Sequence, residues 1–394
     1  MTIRRTFPAM QSVGRRRMIQ GAGLSALALG SPTLLSACGT ESQKQSADSC
    51  KSTDKSAEEK ELVFSNWPEY IDIKGGRMPT LEQFETETGI SVTYNTDINA
   101  NVEFFGKVKD QLGACEPIGR DIITMTDSTA GRMIALGWMQ ELDKSNLPNV
   151  EANLIESLSS PSWDSDRKYS VPWQAGLTGI TYNSTVTDEV TSFEEMLTRS
   201  DLKGKVGLLT EMEDTMAFML VINGADPEDF TDDEWQVAIE NLEKVVASGQ
   251  VRRFTGNDYI RDLKSGNLAA CMAWSGDIAA AGDDRIPFVQ PEEGLNIWSD
   301  NMMVPNKAEH KTNAEMLMNY YYDPVVAATL AAWVWYICPV AGAREAMEKI
   351  DPSLVDNNLI FPSDEFLATT RDFMVLDEKT RQQYQSDFSQ ASGG

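Results

Sequence analysis

The chain has 394 residues, of which 34 are basic and 60 acidic, giving a net charge of −26, and 41% are hydrophobic. An acidic surface of this strength repels nucleic acid and anionic lipid heads while permitting a cationic ligand. A single histidine, with no G-x-S-x-G, H-E-x-x-H, P-loop or G-x-G-x-x-G motif, removes the common hydrolase, metalloprotease, NTPase and dinucleotide readings.

From the N-terminus, Arg15-Arg16-Arg17-Met18-Ile19 leads into the apolar run Gly21 to Leu29, and Leu35-Ser36-Ala37-Cys38 closes it. Residues 1–37 therefore read as a twin-arginine export signal ending at a lipoprotein cleavage box, with Cys38 as the lipidated first residue of the mature protein. Sec export stays open, because Arg pairs also occur in ordinary signals. Several acyl chains on Cys38 would hold a soluble body against the membrane at roughly 0.8 kcal/mol per buried methylene. That body works outside the cytoplasm, on the periplasmic or cell-surface side. Without residues 1–37 the chain keeps 29 basic against 60 acidic residues.

Residues 38–60 are rich in Ser, Thr, Lys, Glu, Gln and Asp, which predicts a flexible tether, with order beginning at Leu62. Cys50, Cys115, Cys271 and Cys338 allow at most two disulfides, and their spacing leaves the pairing open and matches no zinc pattern. Cys271, inside the apolar run Leu268 to Trp274, reads as a buried thiol. His310, beside Lys311 in a polar stretch, reads as exposed and not paired with any obvious nucleophile.

Beyond the tether, strands and helices alternate. Leu62-Val63-Phe64 predicts a strand, Leu81 to Phe84 a short helix ended by Gly89, and Ile90 to Tyr94 a second strand. Phe104, Phe105, Val108 and Leu112 fall at helical spacing before the strand Asp121 to Met125. A second set opens near Gly179 to Asn183, with capping boxes Ser192-x-x-Glu195 and Thr231-x-x-Glu234 and the strands Lys205 to Leu209 and Leu268 to Trp274. Met302 to Pro305 predicts an extended crossing, and Val325 to Val334 a helix that returns to the first set. The expected fold is α/β with two lobes, residues 61–176 and 303–350 in one and 177–302 and 351–394 in the other, and a ligand cleft between them.

Aromatics stand beside acids where strands end. Asn66-Trp67-Pro68-Glu69-Tyr70 follows the first strand, Trp274-Ser275-Gly276-Asp277 ends a later one, and Asn296-Ile297-Trp298-Ser299-Asp300 precedes the second crossing. An extended organic cation suits such a lining, since its methylenes pack on ring faces and carboxylates take its charge. Trp163, Trp235 and Trp333 read as packing.

In motif order from about Leu62 to Phe388 the chain resembles the spermidine/putrescine substrate-binding proteins of ABC transporters. The carriers are Asn66 to Tyr70, Asp97-Ile98-Asn99 with Glu103 to Lys107, Asp121 to Ile123, Tyr169 to Pro172, Trp298 to Asp300 and Phe361 to Phe366. The resemblance implies a type II periplasmic-binding-protein fold, no catalysis and no cofactor or metal. It also implies a monomer that takes a polyamine such as putrescine or spermidine and delivers it to membrane permease subunits. It carries ligand contact onto Trp67, Tyr70, Asp214, Trp274, Trp298, Asp300 and Tyr336.

This chain departs from the family in having Met125-Thr126-Asp127-Ser128-Thr129 where Pro-Ser-Thr-Tyr-Tyr is common. Thr126 and Ser128 would then line the site, an aromatic wall is lost and an acid is gained. Asp214 matches through a one-residue gap and is a methylene shorter than the family's glutamate. The alternatives are a binding protein for another small cation or a metal held by tyrosine and carboxylates, a glycosidase working through paired carboxylates, and a scaffold or sensor lipoprotein.

Overall fold

The computed structural model describes residue 50 and residues 52–393; the export signal, Cys38 and residues 38–49 of the tether lie outside the described residues. Ten strands form one sheet: β1 (Glu61–Ser65), β2 (Ser91–Asn95), β3 (Ile122–Thr126), β4 (Ser170–Tyr182), β5 (Val206–Leu209), β6 (Val251–Thr255), β7 (Ala270–Trp274), β8 (Phe288–Val289), β9 (Leu295–Met303) and β10 (Thr370–Arg371). Their order is β2-β1-β3-β9-β4-β7-β5-β6, with β10 beside β9 and β8 beside β4.

Two parallel triplets flank this sheet, β2-β1-β3 on one side and β7-β5-β6 on the other. The long strands β4 and β9 join them, pairing antiparallel to each other and to β3 and β7. Every residue of β4 but the last is buried, the pattern of a strand covered on both faces. The extended segment expected near Gly179 is thus the far end of a strand that starts at Ser170, and Met302-Met303 close β9.

Helices arise where apolar spacing and end signals agree. Helix Pro79–Thr88 buries Leu81 and Phe84 and ends on Gly89 at φ 73°, a left-handed turn that glycine adopts without a Cβ clash. Thr231 and Glu234 form the reciprocal capping box that opens helix Asp232–Ala247. At Ser192 the box is shifted: its hydroxyl accepts from Glu195 N–H at 2.9 Å, whereas the Glu195 carboxylate accepts from Thr191 N–H at 3.0 Å.

Residues 52–60 correct the expectation of a tether reaching Lys60. Lys55 N–H donates to Glu309 C=O at 2.7 Å, Thr312 N–H to Asp54, and Asn313 donates to the carbonyls of Glu59 and Glu61 at 2.9 Å each. Polar side chains that leave nothing to bury still pack when a neighbouring surface accepts their hydrogen bonds. Cys50 is bonded to Cys115, while Cys271 and Cys338 are buried free thiols.

His310 is also corrected, being buried rather than exposed. Its Nδ1 lies 3.1 Å from Asp121 Oδ2 and its Nε2 3.0 Å from Glu59 Oε2. Burial pulls the imidazole down, but those carboxylates outweigh it and hold the ring above its ordinary pKa. Trp235 is core, stacked on Tyr384 at 3.9 Å, whereas Trp333 is 42% exposed and does not pack as expected.

Candidate functional site

The cleft is built where strands end. Trp67 and Tyr70 follow β1, Thr126 ends β3, Asp127 and Ser128 open the next helix, Trp274 ends β7, and Asn296, Trp298 and Asp300 alternate along β9. A period of two puts these last three on one side of the strand. The structure brings all nine sequence-predicted residues, Asp214 and Tyr336 included, against this single cleft.

Its walls are a chain of aromatic rings, three of the four contacts edge to face and that of Trp298 with Tyr336 tilted. Trp67 meets Trp274 at 6.4 Å between centroids, Trp274 meets Trp298 at 6.3 Å, Trp298 meets Tyr336 at 5.6 Å and Tyr336 meets Tyr70 at 5.0 Å. Two glycines admit the rings: a Cβ on Gly176 would strike Trp298, and one on Gly276 would strike Tyr336. Trp67 Nε1–H donates to Thr124 C=O at 3.2 Å and Trp298 Nε1–H to Thr178 Oγ1 at 2.9 Å, which fixes both indoles.

Among the described residues, seven carboxylates line the cleft and no basic side chain does. Asp214 accepts from the Thr178 hydroxyl, from Asn296 Nδ2 at 3.3 Å and from Trp274 Nε1 at 3.0 Å. Burial still pushes it up to about 6, those donors only partly offsetting the loss of water. Asp300 accepts from the Thr126 hydroxyl at 2.7 Å and is pushed up to about 7, by burial first and then by the neighbouring charges of Asp127 and Asp214. Burial likewise lifts the Tyr70 phenol well above its ordinary value, and the Asp300 carboxylate adds to the effect.

Three further acids, Asp277, Glu211 and Glu213, extend the set. Asp277 accepts from Tyr336 at 2.8 Å, Tyr259 at 2.9 Å and Asn257 at 3.0 Å, and burial raises it to about 6. Glu211 accepts from Asn101 N–H at 2.9 Å, and burial raises it to about 8. Glu213 differs in having a counter-charge, Arg381, as well as the Ser128 hydroxyl at 2.8 Å. Carboxylates desolvated without cations are poised to receive positive charge.

The acid gained at Asp127 has a structural use. Its oxygens accept from Ser299 N–H and Oγ–H, each at 2.7 Å, and from Asn301 Nδ2 at 2.9 Å, tying the start of a helix to β9. Trp163 is a correction: it lines the cleft, half-buried, instead of serving only as packing. Asp277 and Asn296 belong to the aromatic-acid motifs Trp274 to Asp277 and Asn296 to Asp300, a local signal that could have found them. Glu211 and the segment Asp372 to Val375 carried no local signal.

A model of the bacterial extracellular solute-binding protein family matches residues 80–356, well over half of the chain. The chain belongs to that family. Members of the family bind solutes and are not enzymes. The solute-binding chain is 27% identical over 308 residues to the spermidine/putrescine-binding periplasmic protein of Escherichia coli K12, covering 77% of this chain and 84% of that one. It is 28% identical over 346 residues to the putrescine-binding periplasmic protein PotF of the same organism, covering 82% and 89%. Among solved structures, a putative spermidine/putrescine ABC transporter protein from Listeria monocytogenes superposes with a TM-score of 0.72 at 26% identity, covering 84% of this chain and 98% of that one. The fold is the two-lobed periplasmic-binding-protein fold.

Proposed function

We propose that this solute-binding protein captures an aliphatic polyamine of the putrescine or spermidine class outside the cytoplasm and delivers it to the permease of an ABC importer. The observation that carries this reading is the cleft itself, with seven carboxylates and no basic group among the described residues around a chain of aromatic rings. Methylenes gain from the ring faces, and each ammonium gains about 0.5 to 2 kcal/mol from a ring quadrupole besides its carboxylate. The relatives named for spermidine and putrescine support the same class.

In this reading Trp67, Tyr70, Thr126, Ser128 and Tyr336 contact the ligand from a first lobe of residues 61–176 and 303–350. Asp214, Trp274, Trp298 and Asp300 contact it from a second lobe of residues 177–302 and 351–394. Bonds such as Ser128 to Glu213 and Arg132 to Glu378, the latter at 2.7 Å, then cross the cleft and help to hold it closed. The chain acts as a monomer anchored through a lipid on Cys38 after export by a twin-arginine signal. No helix among the described residues is long and apolar enough to cross a membrane. Uptake of labelled spermidine and putrescine by cells lacking the chain tests the reading. Uptake should be lost and restored by the wild-type chain but not by a Cys38→Ala chain released from the cell; undiminished uptake in the deletion would refute it.

A further inference from the structure

Two carboxamides stand beside the cleft carboxylates in the same arrangement. Asn296, 5% exposed, donates Nδ2 to Asp214 Oδ1 at 3.3 Å, and Asn257 donates Nδ2 to Asp277 Oδ2 at 3.0 Å. An ionised carboxylate only accepts, so each bond decides which end of the amide faces it and leaves Oδ1 for something else. Both Oδ1 atoms are buried and have no partner among the described residues, and both side chains line the cleft.

The carboxylates are short of free acceptor positions. On Asp214, Oδ1 serves Thr178 and Asn296, while Oδ2 serves Trp274 alone. On Asp277, Oδ2 serves Asn257 and Tyr259, while Oδ1 serves Tyr336 alone. With about two lone-pair sites per oxygen, each carboxylate keeps one position for a ligand. A primary ammonium brings three N–H groups, and any that finds no acceptor in a buried site is penalised.

We infer that Asn296 and Asn257 are specificity-determining residues: their Oδ1 atoms accept a second N–H from the ammonium groups that Asp214 and Asp277 neutralise. The cleft thereby selects primary ammonium groups over N-methylated or quaternary cations of equal charge. This inference rests on the polyamine reading of the site. Strand register makes Asn296 a rigid acceptor, because Asn296, Thr178 and Trp274 lie in one rank across β9, β4 and β7. All three donors to Asp214 thus come from adjacent strands, where side-chain positions are held by the ladder.

The test is a two-by-two calorimetric cycle on the purified chain, wild type and Asn296→Leu, each titrated with spermidine and with its permethylated analogue. Wild type should prefer spermidine by at least about tenfold, and Asn296→Leu should shrink that ratio at least about fivefold. A residue that only steadies Asp214 would lower both affinities by one factor and leave the ratio unchanged, which overturns the inference. Asn257→Leu is the second variant, with the same expectation, should the first fail to melt cooperatively. Wild type that binds the permethylated cation as tightly as spermidine overturns the inference with no variant at all. Failure of wild type to bind any polyamine would instead sink the polyamine reading itself, and the inference with it.

Discussion

Tyr336 donates its hydroxyl to Asp277 at 2.8 Å while its ring meets that of Tyr70, 266 residues earlier in the chain, at a centroid distance of 5.0 Å. One side chain thus ties a cleft carboxylate to the aromatic wall. The residue before each tyrosine, Glu69 and Trp335, is left-handed, at φ 54° and 60°. Such conformations persist outside glycine only when the surroundings enforce them.

Gly276→Ala tests that wall without touching the carboxylates. The new Cβ would overlap the Tyr336 ring, which must move and give up its bond to Asp277. Overpacking of this kind costs ~1–3 kcal/mol of stability, read by urea unfolding. Spermidine affinity by calorimetry should fall about tenfold or more, a loss of ~1.4 kcal/mol.

The pH dependence has opposite signs with and without ligand. Asp214 and Asp277, at about 6, and Asp300, at about 7, hold protons more tightly folded than at their ordinary 3.8. The native state then binds more protons than the unfolded one, so the contribution of these groups to ligand-free stability declines as pH rises from about 4 to 7. A polyammonium ion needs the ionised forms, so its affinity should climb through the same window. Thermal melts at pH 5 and pH 8 check both, and the rise in melting temperature on adding spermidine should be larger at pH 8.

Asp300→Asn separates charge from shape. Removing the counter-charge of a desolvated ammonium should cost about 2 to 5 kcal/mol of binding. The ligand-free variant should melt higher than wild type at pH 8, because a buried, like-charge-repelled carboxylate has been neutralised. Unchanged affinity would remove Asp300 from the site.

The Cys50–Cys115 disulfide spans 65 residues. By loop-closure entropy it stabilises the fold by about 4 kcal/mol, so reductant should lower the urea midpoint. Neither cysteine lines the cleft, although the loop they close carries Trp67 and Tyr70, and spermidine affinity measured well below that midpoint, where the fold is intact, should be unaltered.

What could be read in the sequence follows a physical division. The strands at Leu62–Phe64, Ile90–Tyr94 and Leu268–Trp274 were legible because apolar periodicity is local, and Gly89 announced the end of its helix. Trp67, Tyr70, Trp274, Trp298 and Asp300 were legible because they stand in aromatic and acidic motifs at strand ends, whereas Asp214, Tyr336, Thr126 and Ser128 came only through the family resemblance; the fold gathers all nine into one cleft. His310 was not legible, since its partner Asp121 lies 189 residues away. Nor was Trp163, whose place in the cleft depends on where distant strands carry its neighbours. Residues 52–60 show the same limit, as polar composition says nothing of a surface formed by residues 309–313.

The most direct test is isothermal titration of the folded, ligand-free chain at pH 8 with putrescine, spermidine, spermine, cadaverine and an amino-acid control. Micromolar or tighter binding to at least one polyamine, roughly −8 kcal/mol or better, with none to the amino acid, is the predicted result. No heat with any polyamine would contradict the account, and the carboxylate-lined cleft would then have to serve another cation.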